Sequence, residues 1–281
     1  MTRRPSKASA STLSAYRASI DHLNASQPNE ELLDDIRAYN HRMVDRLNAI
    51  RALRGTLLLD VGASPQGYAL ERALEHGVTV YVGVGLDISQ PEYVVGDRGT
   101  VGILIELDAA SLGFPAGTFD LVLSISTLEH ALDVDAVLSE IARVLRPGGL
   151  ALLTFEPVWS CSYGHHLHHF GDCAKLIPPW GHLTSAPERM RQSLTGRWPE
   201  DAPLSLDQAI EWVYSGRAIN RLTIRDFREC FRRCSLRVEW MIDLKEEPSD
   251  PVAVQHVARL TGMSVDELGT KGLSVLLRKH A

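Results

Sequence analysis

Apolar and polar positions along this chain follow two periods. Residues 30–53 place apolar side chains three and four positions apart, from Leu32 to Leu53, which predicts an amphipathic helix. Beyond residue 55, short apolar runs alternate with helical stretches. Strands are predicted at 56–61, 79–86, 101–107, 119–126 and 149–155, and helices at 66–76 and 133–145. Strands that alternate with helices in this way are typical of a parallel, doubly wound α/β sheet.

The pattern changes after Phe155. Residues 156–203 are rich in Pro, Gly, His and Trp and show little periodicity, and such a long irregular segment in a compact domain is usually functional or disordered. The tryptophans favour order, since their side chains are stabilised by burial. Helices are predicted again near 205–216, 223–233 and 250–260, and strands near 236–243 and 273–278.

Composition and charge narrow the class of protein. The 281 residues are 44% hydrophobic, which is enough for a full core, and the net charge of -6 disfavours a nucleic-acid partner. No apolar run is long enough to cross a membrane, and no signal-peptide core follows Met1. Four cysteines in a chain of this size indicate no disulfide framework. We expect a cytoplasmic monomer or homodimer whose basic residues 1–20 form a frayed terminus.

Polar residues follow four of the predicted strands. The first strand runs into Asp60 and Gly62, the second is followed by Asp87, the third by Asp108, and the fourth by residues 126–130. Because the carboxyl ends of parallel strands meet at one edge of a sheet, we expect these residues to lie together where α/β sheets bind their ligands.

The order and spacing of these features in residues 57–155 resemble the class I, Rossmann-like S-adenosylmethionine-dependent methyltransferases. Residues 119–150, which end in the segment Ile141–Gly149, are especially similar. The resemblance implies S-adenosylmethionine as cofactor, with the methionine part beside the first loop, the ribose beside the second acid and the adenine beside the third. The implied cofactor residues are Asp60, Gly62, Ala63, Ser64, Asp87, Ile88, Asp108, Ala109, Ser126 and Thr127.

The resemblance also implies a mostly parallel sheet, and seven strands are predicted, with a cap inserted after the fifth. Four parts follow: an N-terminal helical segment at 1–54, a cofactor-binding core at 55–155, a substrate cap at 156–222 and the rest of the core at 223–281. The first loop departs from the family pattern, because Ser64 and Gln66 replace alternate glycines. A nicotinamide-binding Rossmann domain is the less favoured alternative, since the chain has no Gly-x-Gly-x-x-Gly.

The cap contains a second cluster of chemical groups, in residues 159–170 and 178–183. Histidine is the natural base near neutral pH, although buried histidines equally serve as scaffold. The candidate catalytic residues are His165, His166, His182 and His130. The candidate substrate-binding residues are Tyr39, Trp159, Tyr163 and Trp180. Glu129 is expected to pack beside the cofactor.

A metal site in the cap is a weaker hypothesis. Cys161, Cys173 and the cap histidines offer nitrogen and sulfur ligands for zinc or iron, but their spacing matches no standard zinc module. Methyl transfer needs positioning and at most a base, and neither requires a metal. We therefore expect no metal.

The function that fits these features best is methyl transfer from S-adenosylmethionine to O or N of a small molecule, secondary metabolites included. A second possibility is another reaction of the same cofactor on this fold, such as cyclisation or aminocarboxypropyl transfer. A third is a protein that binds the cofactor without turnover.

Overall fold

The computed structural model describes residues 30–96, 99–216, 218–247 and 250–281, with the side chains of 30–32 and 169–172 left aside. Its centre is an eight-stranded sheet in the order β3-β4-β2-β1-β5-β6-β8-β7. The strands are β1 Leu57–Val61, β2 Val80–Gly85, β3 Glu92–Val95, β4 Val101–Glu106, β5 Phe119–Ile125, β6 Leu145–Phe155, β7 Arg237–Lys245 and β8 Thr270–Arg278.

The sheet confirms the doubly wound, mostly parallel prediction but has one strand more than the seven predicted. Strands β4, β2, β1, β5 and β6 run parallel, while β3, β8 and β7 pair antiparallel at the two sides. The missed strand is β3, whose four residues are all exposed at the sheet's edge. It therefore carries no buried face from which a period of two could be read.

The helices are α1 Glu30–Ile50, α2 Tyr68–Glu75, α3 Val134–Val144, α4 Gly181–Thr184, α5 Pro187–Leu194, α6 Leu206–Tyr214, α7 Ile224–Arg233, α8 Pro251–Thr261 and α9 Val265–Leu268. A 3₁₀ segment spans Leu167–Leu176. Helix α1 ends three residues earlier than predicted, and Gly55 forms the following turn with φ +78°. The 3₁₀ segment, α4 and α5 lie in the region without visible periodicity.

Two apolar clusters cover the two faces of the sheet. One includes Val44 and Leu47 of α1 and Leu70 of α2, and the other includes Ile141 of α3 and Phe227 of α7. The cap has a cluster of its own, formed by the 3₁₀ segment and helices α5 and α6. The cap therefore packs around its own core, and it contacts the carboxyl edge of the sheet at the turn after β5. None of the described helices is long and apolar enough to span a bilayer.

Candidate active site

The loop after β1 touches the loop after β5. Gly62 has φ +83°, and a Cβ added to it would lie 1.9 Å from the Thr127 hydroxyl oxygen. That hydroxyl is 3.2 Å from the carbonyl oxygen of Val61 and 2.9 Å from that of Ile125. Only glycine permits this approach, so Gly62 brings the tips of two strands together. Ser126, also at the tip of β5, is exposed and has φ 47°.

The end of β2 joins the same edge. A Cβ on Gly85 would lie 2.8 Å from the Ala63 carbonyl oxygen and 2.9 Å from Asp87 Oδ1, with the Ile88 side chain 3.4 Å away. The Asp87 carboxylate is half-buried. The sequence-predicted residues Ala63, Asp87 and Ile88 therefore meet around one glycine.

Asp108 is placed at the next strand tip, after β4. Gly85 lies opposite Glu106 in the sheet, so Asp108 and Ala109 follow directly beside the end of β2. One carboxylate oxygen of Asp108 accepts a hydrogen bond from the Ala110 amide at 2.9 Å, which fixes the turn. The acids predicted to hold the ribose and the adenine thus occupy neighbouring tips of the same edge.

Asp60 is more deeply placed than the other two acids. It is 2% exposed and accepts a hydrogen bond from the Tyr81 hydroxyl, while its Oδ1 has no hydrogen-bond partner within the described part of the chain. Burial raises the pKa of Asp60 to about 7, although the Tyr81 hydrogen bond opposes that rise. Asp60 therefore supports the loop from below and keeps one oxygen without a protein donor.

The departure from the family's glycine pattern leaves the loop open. The amides of Gly62 and Ala63 both donate to the Val84 carbonyl, at 2.8 and 2.9 Å, so the sheet holds the start of the loop. Ser64 and Gln66 bond to each other through their side chains, and the Gln66 side chain is exposed. Gln66 consequently turns outwards and does not fill the loop.

Comparison with known proteins bears on the same region. Residues 59–153 match the profile of a methyltransferase domain. These residues contain the end of β1, all of β2 to β5 and nearly all of β6, together with the four strand tips described above. The chain contains a class I methyltransferase domain. S-adenosylmethionine is the cofactor of this family.

Relatives match the methyltransferase domain over similar lengths. A 27-O-demethylrifamycin SV methyltransferase of Amycolatopsis mediterranei is 36% identical over 125 residues, 41% of this chain and 44% of that protein. A fatty-acid O-methyltransferase of Mycolicibacterium smegmatis is 30% identical over 122 residues, 43% of this chain and 44% of that protein. The match thus spans less than half of these relatives. The structure of an S-adenosylmethionine-dependent methyltransferase from Mesorhizobium loti aligns with 81% of this chain and 93% of its own, at 17% identity and a TM-score of 0.48.

The strand tips of the methyltransferase domain fit this cofactor. Neither Gly62 nor Gly85 has space for a larger residue, so the two glycines let the strand tips pack closely together. Asp87 can accept two hydrogen bonds from a diol, and Asp108 retains a second oxygen beyond the one that fixes its turn. Both acids thus offer acceptors, the type of group that the ribose hydroxyls and the adenine amino group of the cofactor require.

The three candidate histidines of the cap, His165, His166 and His182, are buried and bonded to backbone groups. His165 is fully buried, and its Nδ1 accepts a hydrogen bond from the Leu167 amide at 3.0 Å. That bond uses the only free lone pair of the neutral ring and assigns the hydrogen to Nε2. His165 therefore cannot accept a proton in this arrangement, and the prediction that it is the base disagrees with the structure.

His182 and His166 are also held by carbonyl groups. His182 Nε2 donates to the Trp159 carbonyl at 2.8 Å, and burial lowers the pKa of His182 to about 4. His166 Nε2 donates to the Pro157 carbonyl at 2.6 Å. Both rings connect cap backbone segments, which agrees with the scaffold alternative weighed from the sequence.

His130 is the candidate base that remains best placed. Its Nδ1 donates to the Ala218 carbonyl at 2.7 Å, which leaves the lone pair on Nε2. The residue is half-buried, follows Thr127 by three positions, and its ring lies 4.9 Å from that of His166. Burial lowers the pKa of His130, so the ring is neutral at physiological pH.

The predicted aromatic wall is only partly assembled. Trp180 is 1% exposed, packs with Val254 and Leu268, and donates from Nε1 to the Leu268 carbonyl at 3.2 Å. It belongs to the core between cap and C-terminal helices, which contradicts its predicted place in a substrate wall. Tyr163 is 44% exposed, and Trp159 lies edge-on to His182 with ring centroids 4.6 Å apart.

Tyr39 does reach the edge, since its hydroxyl lies 3.2 Å from the Thr154 hydroxyl near the end of β6. Its neighbours in α1 do not reach the edge. Asn40 bonds to its own helix, and His41 lies 3.6 Å from Glu71 of α2.

The sequence predicts that Glu129 packs beside the cofactor, but it does not reveal that Glu129 is the most unusual polar group of the site. Glu129 is 1% exposed, and in the described residues neither of its carboxylate oxygens has a hydrogen-bond partner. Glu156 and Lys271, which form an ion pair of 2.9 Å, lie nearby and were not predicted. The available signal was an acid directly after the apolar Leu128 at a strand tip, where an unpaired charge is costly.

No group of three or more His, Cys, Asp or Glu residues that could hold a metal ion occurs among the described side chains.

Proposed function

We propose that this protein transfers a methyl group from S-adenosylmethionine to O or N of a small molecule. The observation that carries the proposal is the meeting of four strand tips, with Asp87 and Asp108 half-buried, directly below a cap that has its own core. An enclosed edge of this kind suits a compact acceptor. The names of the relatives, which include a fatty-acid and a rifamycin O-methyltransferase, support a small molecule rather than a macromolecule as acceptor.

The roles of the cofactor residues follow from their positions. Asp87 with Ile88 would hold the ribose, Asp108 with Ala109 the adenine, and the loop around Gly62 the methionine part. When bound, S-adenosylmethionine supplies an activated methyl group. The chain itself has to position the acceptor, exclude water and hold a proton.

The proton is best received by His130. Its Nδ1–H bond to the Ala218 carbonyl fixes the tautomer, so the lone pair of the neutral ring is on Nε2. His166 and His182 each bond to a carbonyl within the cap, so they support the conformation of the cap itself. A cap that covers the bound acceptor would exclude water and strengthen the electrostatic contacts inside.

The cofactor assignment is tested by calorimetry with S-adenosylhomocysteine. Asp87→Ala should weaken binding by about tenfold to 100-fold, since a hydrogen-bonded diol loses a charged acceptor worth about 1.5–3 kcal/mol. The matched control is Asp135→Ala, an exposed acid of α3 that pairs with Arg233 at 2.7 Å. Equal affinities of wild type and Asp87→Ala would contradict the ribose assignment.

The reaction type is tested by the by-product. Incubation with S-adenosylmethionine and a panel of small alcohols, acids and amines should release S-adenosylhomocysteine, detected by mass spectrometry. Methylthioadenosine would instead indicate cyclisation or aminocarboxypropyl transfer. Cofactor binding without either product, for every acceptor, would favour a non-catalytic binding protein.

A further inference from the structure

Four ionisable side chains meet beside the proposed methyl-transfer edge, and we name them the acid cluster: Glu129, Glu156, Glu246 and Lys271. Glu129 lies in the turn after β5, Glu156 follows β6, Glu246 follows β7, and Lys271 is the second residue of β8. Strands β5, β6, β8 and β7 are neighbours in this order, so the four residues come together at one side of the edge. Tyr39 of α1 also interacts electrostatically with Glu129, Glu156 and Lys271.

Glu129 shows that the acid cluster is built around something that the protein does not itself supply. It is 1% exposed, and both its oxygens are buried without a hydrogen-bond partner in the described chain. The amides of Glu129 and Glu156 lie close enough to favour its charged form but do not reach hydrogen-bond geometry. Burial, with the charge of Glu156 adding to it, raises the pKa of Glu129 well above its usual value. An unsatisfied buried carboxyl is costly and is a common mark of a binding site.

The acid cluster contains three carboxyl groups and one ammonium group. Lys271 Nζ lies 2.9 Å from Glu156 Oε2, and the charge of Glu246 acts on the same ammonium. Glu246 in addition accepts a hydrogen bond from the Ser162 amide at 2.9 Å. Glu156 and Glu246 thus share Lys271, and Glu129 is left without a cation among the described residues.

We propose that the acid cluster binds a protonated amine carried by the methyl acceptor, with Glu129 as its counter-charge. The inference rests on the proposed function and specifies its substrate class. An ammonium group brings three donors and a positive charge, which suits the two oxygens of Glu129 and the hydroxyl of Tyr39. An anion would be repelled, and a neutral hydroxyl would satisfy only one oxygen.

The acid cluster is open to an incoming ligand. The side chains of Glu156 and Lys271 are 24% and 40% exposed, while Glu129 is buried. The amine serves as the point of recognition, and the methylated atom can be a different one. When the ammonium binds, the Glu129 O–H bond breaks and its proton passes to the buffer, so binding releases one proton.

The test uses the full chain saturated with S-adenosylhomocysteine at pH 6.5. Two pairs of probes, benzylamine with benzyl alcohol and phenethylamine with phenethyl alcohol, are titrated by calorimetry in two buffers of different ionisation enthalpy. We expect each amine to bind at least about tenfold more tightly than its alcohol, as for other hydrogen-bonded charges. We also expect about one proton to be released per amine bound.

Glu129→Gln should abolish both the preference for amines and the proton release, while leaving the affinity for S-adenosylhomocysteine unchanged. Glu188→Gln, on the exposed face of α5, is the matched control and should behave as wild type. If Glu129→Gln does not fold, the preference and the proton count of the wild type decide the question.

The proposal is overturned if the wild type shows no preference for amines, if no proton is released, or if Glu129→Gln keeps the preference. It is equally overturned if Glu129→Gln weakens the binding of S-adenosylhomocysteine, because the carboxyl would then hold the ammonium of the cofactor. If S-adenosylhomocysteine does not bind the wild type, the proposed function fails. Titration of the same probes without it then still tests the acid cluster.

Discussion

Asp60 gives the protein an unusual dependence of stability on pH. Its carboxyl group is 2% exposed, and burial raises its pKa in the folded protein from 3.8 to about 7. The folded state therefore keeps the proton over a pH range in which the unfolded chain has already lost it. The unfolded state binds fewer protons in this range, so stability falls as the pH rises.

The size of this effect follows from the same two values. A difference of about three pH units, at about 1.4 kcal/mol for each, corresponds to about 4 kcal/mol. The contribution is fully present below pH 3.8, declines as the pH rises towards about 7, and is absent above that value. Since typical domains are stable by about 5–15 kcal/mol, a change of this size is measurable.

The perturbation is Asp60→Asn, which removes the titration and keeps the shape. Urea unfolding at several pH values from 4 to 8.5 gives the free energy of unfolding of both proteins. The free energy of unfolding of the variant minus that of the wild type should increase by about 4 kcal/mol between pH 4 and 7 and stay constant above pH 7. A difference that does not change with pH would refute the reasoning, whatever its absolute value.

A second pair of variants controls for the neighbouring hydroxyl. Tyr81→Phe removes the hydrogen bond that favours the charged form of Asp60, so the pKa of Asp60 should rise further. The decline in stability of Tyr81→Phe should then extend to higher pH than in the wild type. In the double variant with Asp60→Asn this pH-dependent contribution should be gone.

Two further variants test the edge and the cap. Gly62→Ala should destabilise the protein by about 2–3 kcal/mol and weaken S-adenosylhomocysteine, because its Cβ would lie 1.9 Å from Thr127. The control is Gly55→Ala, because Gly55 has a similar positive φ but nothing in the described chain lies within 4 Å of the new Cβ. It should destabilise the protein less and leave the binding of S-adenosylhomocysteine intact. Equal losses of stability in urea unfolding would contradict this. Because burial lowers the pKa of His182, the wild type should lose about 3 kcal/mol of stability as the pH falls from 6.5 through about 4. His182→Gln should not show this loss. If the free energy of unfolding changes equally with pH in both proteins, His182 does not titrate in this range.

The sequence predicts the central strands and their helices because each has its own buried pattern. Strand β1 is an apolar run with four of its five residues buried, and α3 begins at Asp133, whose side chain caps it through the Ala136 amide at 2.9 Å. Helix α5 could not be predicted in the same way, since only Met190 and Leu194 among its residues are buried. Its place depends on packing against the cap cluster, which is not a local property of the chain.

The residues of the candidate site also differ in how far the sequence predicts them. Asp87 and Asp108 are found from the sequence because each directly follows a strand, and position along a parallel sheet determines where such residues meet. The state of His165 depends on the Leu167 amide, and a tautomer cannot be read from spacing. Glu129 is unusual only because no donor reaches it from β6, β8 or α1 within the described residues, and these elements are far away in sequence.

The turn after β5 connects the two halves of the proposed chemistry. Asn220 of the cap donates through its side chain to the Leu128 and Ala131 carbonyls at 2.6 and 2.9 Å, and its amide donates to the Glu129 carbonyl at 3.0 Å. His130 returns a hydrogen bond to the Ala218 carbonyl. Glu129 and His130 are therefore oriented by the cap, although they belong to the methyltransferase core. A movement of the cap that admits an acceptor must then also move the two side chains that we expect to receive it.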